Sequence, residues 1–220
     1  MTTLTGGKRW ARLVETLFSA TYLVVVVAVG WHLVTADNAL QRLYGLMALI
    51  LIGGDCFHLL PRLYYLWLGA GAQQALWLGL GKLVTSLTMT VFYVCLYWVY
   101  LLYYGLTATP LVQGLVYLLA VVRCAICLLP QNQWFCGGGT TRWRIYRNLP
   151  FLLLGLLIIG LYGGQVSSGG VNQFSTMSVA VSLSFAFYVP VVLFATRYPA
   201  LGALMLPKTC VYVWIVLLGL

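Results

Sequence analysis

The stretch VFYVCLYWVYLLYY, residues 91–104, decides the fold, because it places fourteen residues in a row without a charge. It forms the last part of an apolar run over residues 75–104. This run is longer than the span of about twenty residues that a membrane-spanning helix needs. We therefore expect this helix to tilt or to extend beyond the bilayer. The whole 220-residue chain is 62% hydrophobic and 7% charged, a composition that excludes a water-soluble domain with an ordinary surface.

Six further apolar runs lie on either side of this stretch and are separated by charges or turn residues. The VTAD sequence after the first run resembles a signal-peptide cleavage site, but we expect the run to be retained. The fifth run is the shortest, so six spans with a re-entrant fifth segment is the alternative to seven. The sequence predicts an all-α polytopic transmembrane bundle in a single integral-membrane domain, residues 1–220. The seven runs cover residues 17–36, 43–66, 75–104, 111–129, 150–162, 176–195 and 200–220.

The basic residues predict the orientation of the chain. They occur before the first run, at residues 142–147 after the fourth and at Arg197 after the sixth, whereas the segments after the third and fifth runs carry no charge. Cytoplasmic loops are enriched in Lys and Arg. We expect a bacterial inner (plasma) membrane protein with a cytoplasmic N-terminus and an external C-terminus. The net charge of +9 is spread over the ends of the runs, which favours lipid headgroups as partners and excludes nucleic acid.

The cysteines and histidines predict neither a metal site nor a cofactor. Cys124 and Cys127 form a C-x-x-C pair, but no second pair completes a zinc set, and thiols in apolar runs behave as small hydrophobic groups. Their redox role stays open. A retinal Schiff base on Lys208 is disfavoured, because that lysine lies close to the start of its run and Asp55 is the one acid within the runs that could act as counter-ion.

Ionisable residues within the runs are the candidate functional groups, since each is costly in the hydrocarbon region and usually faces the bundle interior. Asp55, His58 and Arg62 share one face of the second helix at spacings of three and seven residues. With the predicted orientation, Asp55 lies near the midplane and the basic residues lie in the cytoplasmic half. We therefore expect one polar cavity that opens toward the cytoplasm. Its other members come from the third, fourth and seventh helices: Lys82, Thr85, Ser86, Met89, Arg123 and Lys208.

Two roles follow from these residue types. Asp55 and His58 are the predicted catalytic residues, a general base in which the carboxylate orients the imidazole and activates water. The predicted substrate-binding residues hold an anionic group such as a phosphate: Lys82, Ser86, Arg62, Arg123 and Lys208. Simpler interpretations stay open, namely snorkelling of Arg62 and Arg123 to headgroups, an interhelical hydrogen bond of His58, and a structural ion pair of Asp55 with at least one lysine.

The segment GDCFHLLPR, residues 54–62, resembles the G-D-x-x-x-L-L-P pattern of the lysoplasmalogenase-like (YhhN) membrane family. The resemblance implies a polytopic enzyme that cleaves the vinyl-ether bond of lysoplasmalogens, with Asp55 as the motif aspartate. The family has a second intramembrane aspartate, whereas this chain has no acid after Asp55, so a two-carboxylate mechanism is not available. The whole chain is similar to a group of bacterial seven-span proteins through the runs GDCFHLLPR, GKLVTSLTMTVFY, RWRIYRNLPF, FYVPVVLF and PKTCVYVWIV, a resemblance that implies architecture and no activity.

The leading hypothesis is a seven-helix protein whose pocket takes an anionic amphiphilic or lipid-like molecule, with lysoplasmalogenase-like hydrolysis as the candidate reaction. The alternative is a non-enzymatic small-molecule transporter, receptor or binding protein. A third hypothesis is a subunit of a larger complex. Oligomeric state is left open.

Overall fold

The computed structural model describes residues 6–69, 71–136, 139–167, 173–195 and 197–220. Within these ranges the chain forms seven α-helices: α1 (Gly6–Val34), α2 (Ala39–Leu68), α3 (Gln74–Tyr104), α4 (Pro110–Leu128), α5 (Thr141–Ser167), α6 (Met177–Phe194) and α7 (Met205–Leu217). Short 3-10 helices at Gln173–Thr176 and Pro199–Leu204 lead into α6 and α7. With these extensions, seven helices are long and apolar enough to cross a membrane. The prediction of an all-α bundle with seven spans is confirmed.

The fifth helix differs from its predicted bounds. The apolar run at 150–162 suggested a short segment, but α5 covers 27 residues, Thr141–Ser167, with Pro150 buried inside it. A proline within a transmembrane helix is tolerated when neighbouring groups satisfy the freed backbone. Arg142, Arg144 and Arg147 thus lie in the first turns of α5, not in a loop. The expectation of a short fifth segment was wrong, and a re-entrant segment is not needed.

Glycines bring α2 and α3 into close contact. A Cβ atom on Gly54 would overlap the Thr88 side chain, and one on Gly81 would overlap the carbonyl group of Phe57. The Thr85 hydroxyl donates a hydrogen bond of 2.9 Å to the Gly54 carbonyl. Small residues and hydroxyls at helix contacts are typical of membrane bundles, where close backbone approach provides the packing energy. Since Asp55 follows Gly54 and Lys82 follows Gly81, this contact fixes the relative position of both charged residues.

The segment between α4 and α5 folds back against the bundle. The Trp134 indole donates to the Cys127 carbonyl at 2.8 Å, and the Asn132 amide donates to the Leu129 carbonyl at 3.2 Å. These bonds satisfy carbonyl groups that the end of α4 leaves without a helical partner. A Cβ on Gly79 would overlap the Trp134 carbonyl, so α3 packs directly on this segment. Trp134 is thereby held against the N-terminal end of α3.

Candidate functional site

A polar cavity of about 220 Å³ lies between α2, α3, α5, α6 and α7. Its lining comes from the second half of α2, the first halves of α3 and α5, the last turns of α6 and the start of α7. These segments meet at the end of the bundle where α1 begins. Six of the seven predicted site residues line it together: Asp55, His58, Arg62, Lys82, Ser86 and Lys208.

Arg123 is the exception. It is 2% exposed, and its guanidinium carbon lies 3.4 Å from the centroid of the Phe151 ring, in a cation–π contact between α4 and α5. It does not line the polar cavity and it does not reach the bundle surface. We expected Arg123 to bind substrate in the cavity or to snorkel to headgroups. The structure places it in neither position. The reason is that the packing of α4 on α5 places the Phe151 ring against the guanidinium, a contact that the sequence did not indicate.

Asp55 is held by a tyrosine of the first helix. The Tyr22 hydroxyl donates a hydrogen bond of 2.6 Å to Oδ2 of Asp55. The structure describes no ion pair of this carboxylate with a lysine within 4.0 Å and no hydrogen bond between it and His58 among the described residues. The expected Asp55–lysine pair and the Asp55–His58 dyad are therefore not formed. The packing of α1 on α2 brings the phenol to the carboxylate instead.

Arg62 is paired with an acid that the sequence interpretation left without a role. Its Nε lies 2.7 Å from Oε1 of Glu15 on α1, with the two side chains 45% and 25% exposed. The charge of Arg62 is thus balanced within the protein. Two acids lie at this end of the bundle. Glu15 forms an ion pair with Arg62, and Asp55 accepts a hydrogen bond from Tyr22.

Three cations around the cavity have no carboxylate within ion-pair distance among the described residues: Lys82, Arg147 and Lys208. Nζ of Lys208 lies 4.7 Å from the Tyr188 ring centroid and 4.9 Å from that of Tyr212. The Arg147 guanidinium carbon lies 4.0 Å from the Trp134 ring centroid. Aromatic faces attract a cation without neutralising its charge. The cavity therefore carries an excess of positive charge.

The neutral polar groups of the cavity are incompletely satisfied. Nδ1 of His58 is buried and has no hydrogen-bond partner, although buried polar groups in proteins usually have one. The Ser86 hydroxyl donates to the Lys82 carbonyl at 2.7 Å, which leaves its oxygen free to accept. The Ser86 oxygen can therefore accept a hydrogen bond from a bound molecule, and the His58 ring lines the same cavity.

The sequence interpretation missed Arg147, Trp134, Tyr188 and Tyr212, which also line the cavity. Arg147 was assigned to a loop and used there as an orientation signal. Extending the fifth helix by about one turn before Pro150 would have included Arg147 in the helix. The three aromatic residues are not distinguishable in the sequence from the many other aromatic residues, because their role depends on which helix faces which.

The fold and the cavity define a multi-pass helical membrane protein with a cationic chamber at one end of its bundle. Comparison with known proteins finds no match among protein-family models, curated proteins or solved structures. Among the described residues, no three His, Cys, Asp or Glu side chains are placed to hold a metal ion.

Proposed function

We propose that the polar cavity binds the anionic headgroup of an amphiphilic, lipid-like molecule. The observation that carries this proposal is the set of three cations, Lys82, Arg147 and Lys208, that surround one cavity without a carboxylate partner among the described residues. A charged group inside a membrane bundle is costly unless it is paired or hydrated. A bound anion would supply the missing partner.

The geometry suits a phosphate or a similar oxyanion. Arg147 presents a planar guanidinium that can donate two parallel hydrogen bonds to an oxyanion, and the lysines add compact charges with three donors each. Nδ1 of His58 faces no competing partner. The surrounding bundle is apolar, so a ligand that reaches this chamber through the bilayer needs an apolar part as well as a charged one.

The proposed orientation places the cavity toward the cytoplasm of a bacterial cell, in the inner membrane. Its support is the position of Arg142, Arg144 and Arg147 in the first turns of α5, at the same end of the bundle as the basic start of α1. Basic residues are enriched on the cytoplasmic side.

Hydrolysis is a second candidate function, favoured by the unpartnered His58 imidazole beside Asp55 in the cavity and by the resemblance of GDCFHLLPR to the lysoplasmalogenase-like family. Because Asp55 accepts from Tyr22, His58 would take the proton from water without a carboxylate that orients it. The alternative is binding without turnover, as in a transporter, receptor or binding protein.

A binding measurement tests the proposal. Protein in nanodiscs of phosphatidylcholine should bind lysophosphatidic acid and not the monoacylglycerol of the same chain length, as followed by native mass spectrometry. Lys208→Met should weaken this binding about tenfold, the loss expected for one hydrogen bond to a charged group. Arg42→Gln is the matched control, because Arg42 is an exposed cation at the opposite end of α2. Equal binding of both lipids, or an equal loss in the two variants, would contradict the proposal.

A separate assay decides between the two candidate functions. Aldehyde release from a lysoplasmalogen that disappears in His58→Gln and is reduced in Asp55→Asn would support hydrolysis. Headgroup-dependent binding without aldehyde release would support the non-enzymatic alternative. Constant co-purification of a second polypeptide, with wild-type behaviour of both variants, would instead favour a subunit of a larger complex.

A further inference from the structure

A second cavity lies beside the polar one, and we call it the lateral cavity. It has a volume of about 350 Å³ and lies between α1, α2, the 3-10 helix Pro199–Leu204 and α7. Phe18, Ala203 and Leu206 contribute apolar surface to it. Ala203 and Leu206 are also exposed, and they lie in a segment that is long and apolar enough to cross a membrane. The lateral cavity therefore lies between the polar cavity and the surrounding bilayer.

The two cavities share four lining residues: Leu59, Arg62, Met205 and Thr209. Two polar contacts mark their boundary, since Tyr22 of the lateral cavity donates to Asp55 of the polar cavity, and Glu15 of the lateral cavity pairs with Arg62. A molecule that occupies both cavities would pass from the cations of the polar cavity, past the Glu15–Arg62 pair at the boundary, to the apolar surface of Phe18, Ala203 and Leu206, which is the order of groups in an amphiphile.

An apolar slot on the other side of the polar cavity is the competing candidate for the chain. It has a volume of about 120 Å³ and lies between α5 and α6, where Leu152 and Val192 are among its lining residues. It shares only Tyr188 with the polar cavity among the described residues. The Tyr188 hydroxyl donates to Oδ1 of Asn148 at 2.7 Å, and this bond holds the ring between the two spaces. The lateral cavity is larger and is joined to the polar cavity by four residues, so it is the better continuation.

We infer that the lateral cavity holds the apolar chain of the amphiphile whose headgroup occupies the polar cavity, and that the molecule enters from the bilayer between α1 and α7. This inference rests on the proposed function. It specifies the ligand class further, as an amphiphile with one chain that runs along α1 past Phe18, while the headgroup lies among Lys82, Arg147 and Lys208.

Photolabelling tests the path of the chain. The probe is lysophosphatidic acid with a diazirine at the chain end, used on the whole protein in phosphatidylcholine nanodiscs. We expect labelling in residues 18–22 and 200–206, with competition by unlabelled lysophosphatidic acid. Gly202→Leu should remove most of this labelling, because a Cβ at Gly202 meets no atom within 4 Å and the added side chain would occupy the open space. Ala203→Phe is a second variant that fills the same cavity.

Gly114→Leu is the matched control, since Gly114 is exposed on α4 and also has no atom within 4 Å of an added Cβ. Its labelling should equal that of the wild type. Competed labelling in residues 145–152 and 185–193 would overturn the inference and leave the proposed function intact, because the chain would then occupy the slot between α5 and α6. Labelling that unlabelled lipid does not compete would overturn the inference together with the proposed function.

Discussion

The two ends of the bundle differ in their polar side chains: hydrogen-bonded tyrosines lie at one end, and cations without a carboxylate partner among the described residues lie at the other. At the end that is distant from the polar cavity, the Tyr44 hydroxyl donates to the Ile215 carbonyl at 2.5 Å and the Tyr162 hydroxyl to the Leu96 carbonyl at 3.1 Å. At the other end, Lys82, Arg147 and Lys208 have no carboxylate partner among the described residues. Hydrogen-bonded polar groups stabilise the helix packing, whereas cations that no carboxylate neutralises favour the binding of an anion.

Aromatic pairs occur at both ends, since the rings of Phe92 and Tyr212 beside the cavity also lie edge to face at 5.6 Å, and they add to the hydrogen bonds of the distant end. The Tyr100 and Tyr162 rings lie 5.3 Å apart and the Tyr103 and Phe174 rings 4.3 Å apart, both edge to face. Such pairs add about 0.5–1.5 kcal/mol beyond their buried area. We propose that the distant end is the structural anchor of the bundle and that the cavity end is its binding end.

The largest effect should come from breaking the anchor. Tyr162→Ala removes a fully buried ring together with its hydrogen bond to Leu96, and we expect a loss of about 3 kcal/mol in the free energy of unfolding. Reversible unfolding in mixed detergent micelles measures it. Tyr64→Ala removes a ring that is 58% exposed and should cost far less. Equal losses in the two variants would show that the distant end is not the anchor.

Removing one hydroxyl at each end should give a smaller effect, which separates stability from ligand affinity. Tyr44→Phe should cost about 1 kcal/mol of stability and leave ligand affinity unchanged, since it removes one hydrogen bond in the anchor. Tyr22→Phe frees the Asp55 carboxylate to turn toward Lys208, so the affinity for an anionic amphiphile should fall. Paired unfolding and binding measurements check both variants. A fall in affinity in Tyr44→Phe alone would reverse the assignment of the two ends.

The smallest effect should come from the ion pair at the mouth of the cavities. Glu15 and Arg62 are partly exposed, and exposed pairs contribute about 0–1 kcal/mol. Arg62→Gln should therefore change the free energy of unfolding by no more than about 0.5 kcal/mol. The double variant Glu15→Gln with Arg62→Gln provides the control in a double-mutant cycle. A coupling well above 1 kcal/mol would show that the pair holds α1 to α2.

The number and order of the helices were predictable because hydrocarbon tolerates few charges, so each span must be an apolar run bounded by polar residues. The start of α5 was not, since a proline favours the first turn of a helix and Pro150 was interpreted as that start, whereas the helix continues through it. This one boundary changed Arg147 from a loop residue to a cavity residue.

The sequence predicted which charged residues meet, but not which residues contact each of them. The sequence indicated that the charges on α2, α3 and α7 should meet, and the structure brings Asp55, Lys82 and Lys208 to one cavity. It did not indicate that Tyr22 would take the carboxylate or that Phe151 would cover Arg123. Nothing in the sequence distinguishes Tyr22 from the other tyrosines among the fifteen in the chain. The direction in which a side chain faces depends on how two helices pack.

The sequence by itself determined a seven-helix membrane bundle and the positions of Asp55, Lys82 and Lys208 along its helices, because both follow from the cost of exposing polar groups to lipid and from the rise of a helix per residue. Only the tertiary structure decided which charges are neutralised. Glycine contacts between α2 and α3 and the packing of α1 on α2 set which atoms come within a few ångströms of each other. Electrostatic pairing depends on such distances, which the spacing along one helix does not contain.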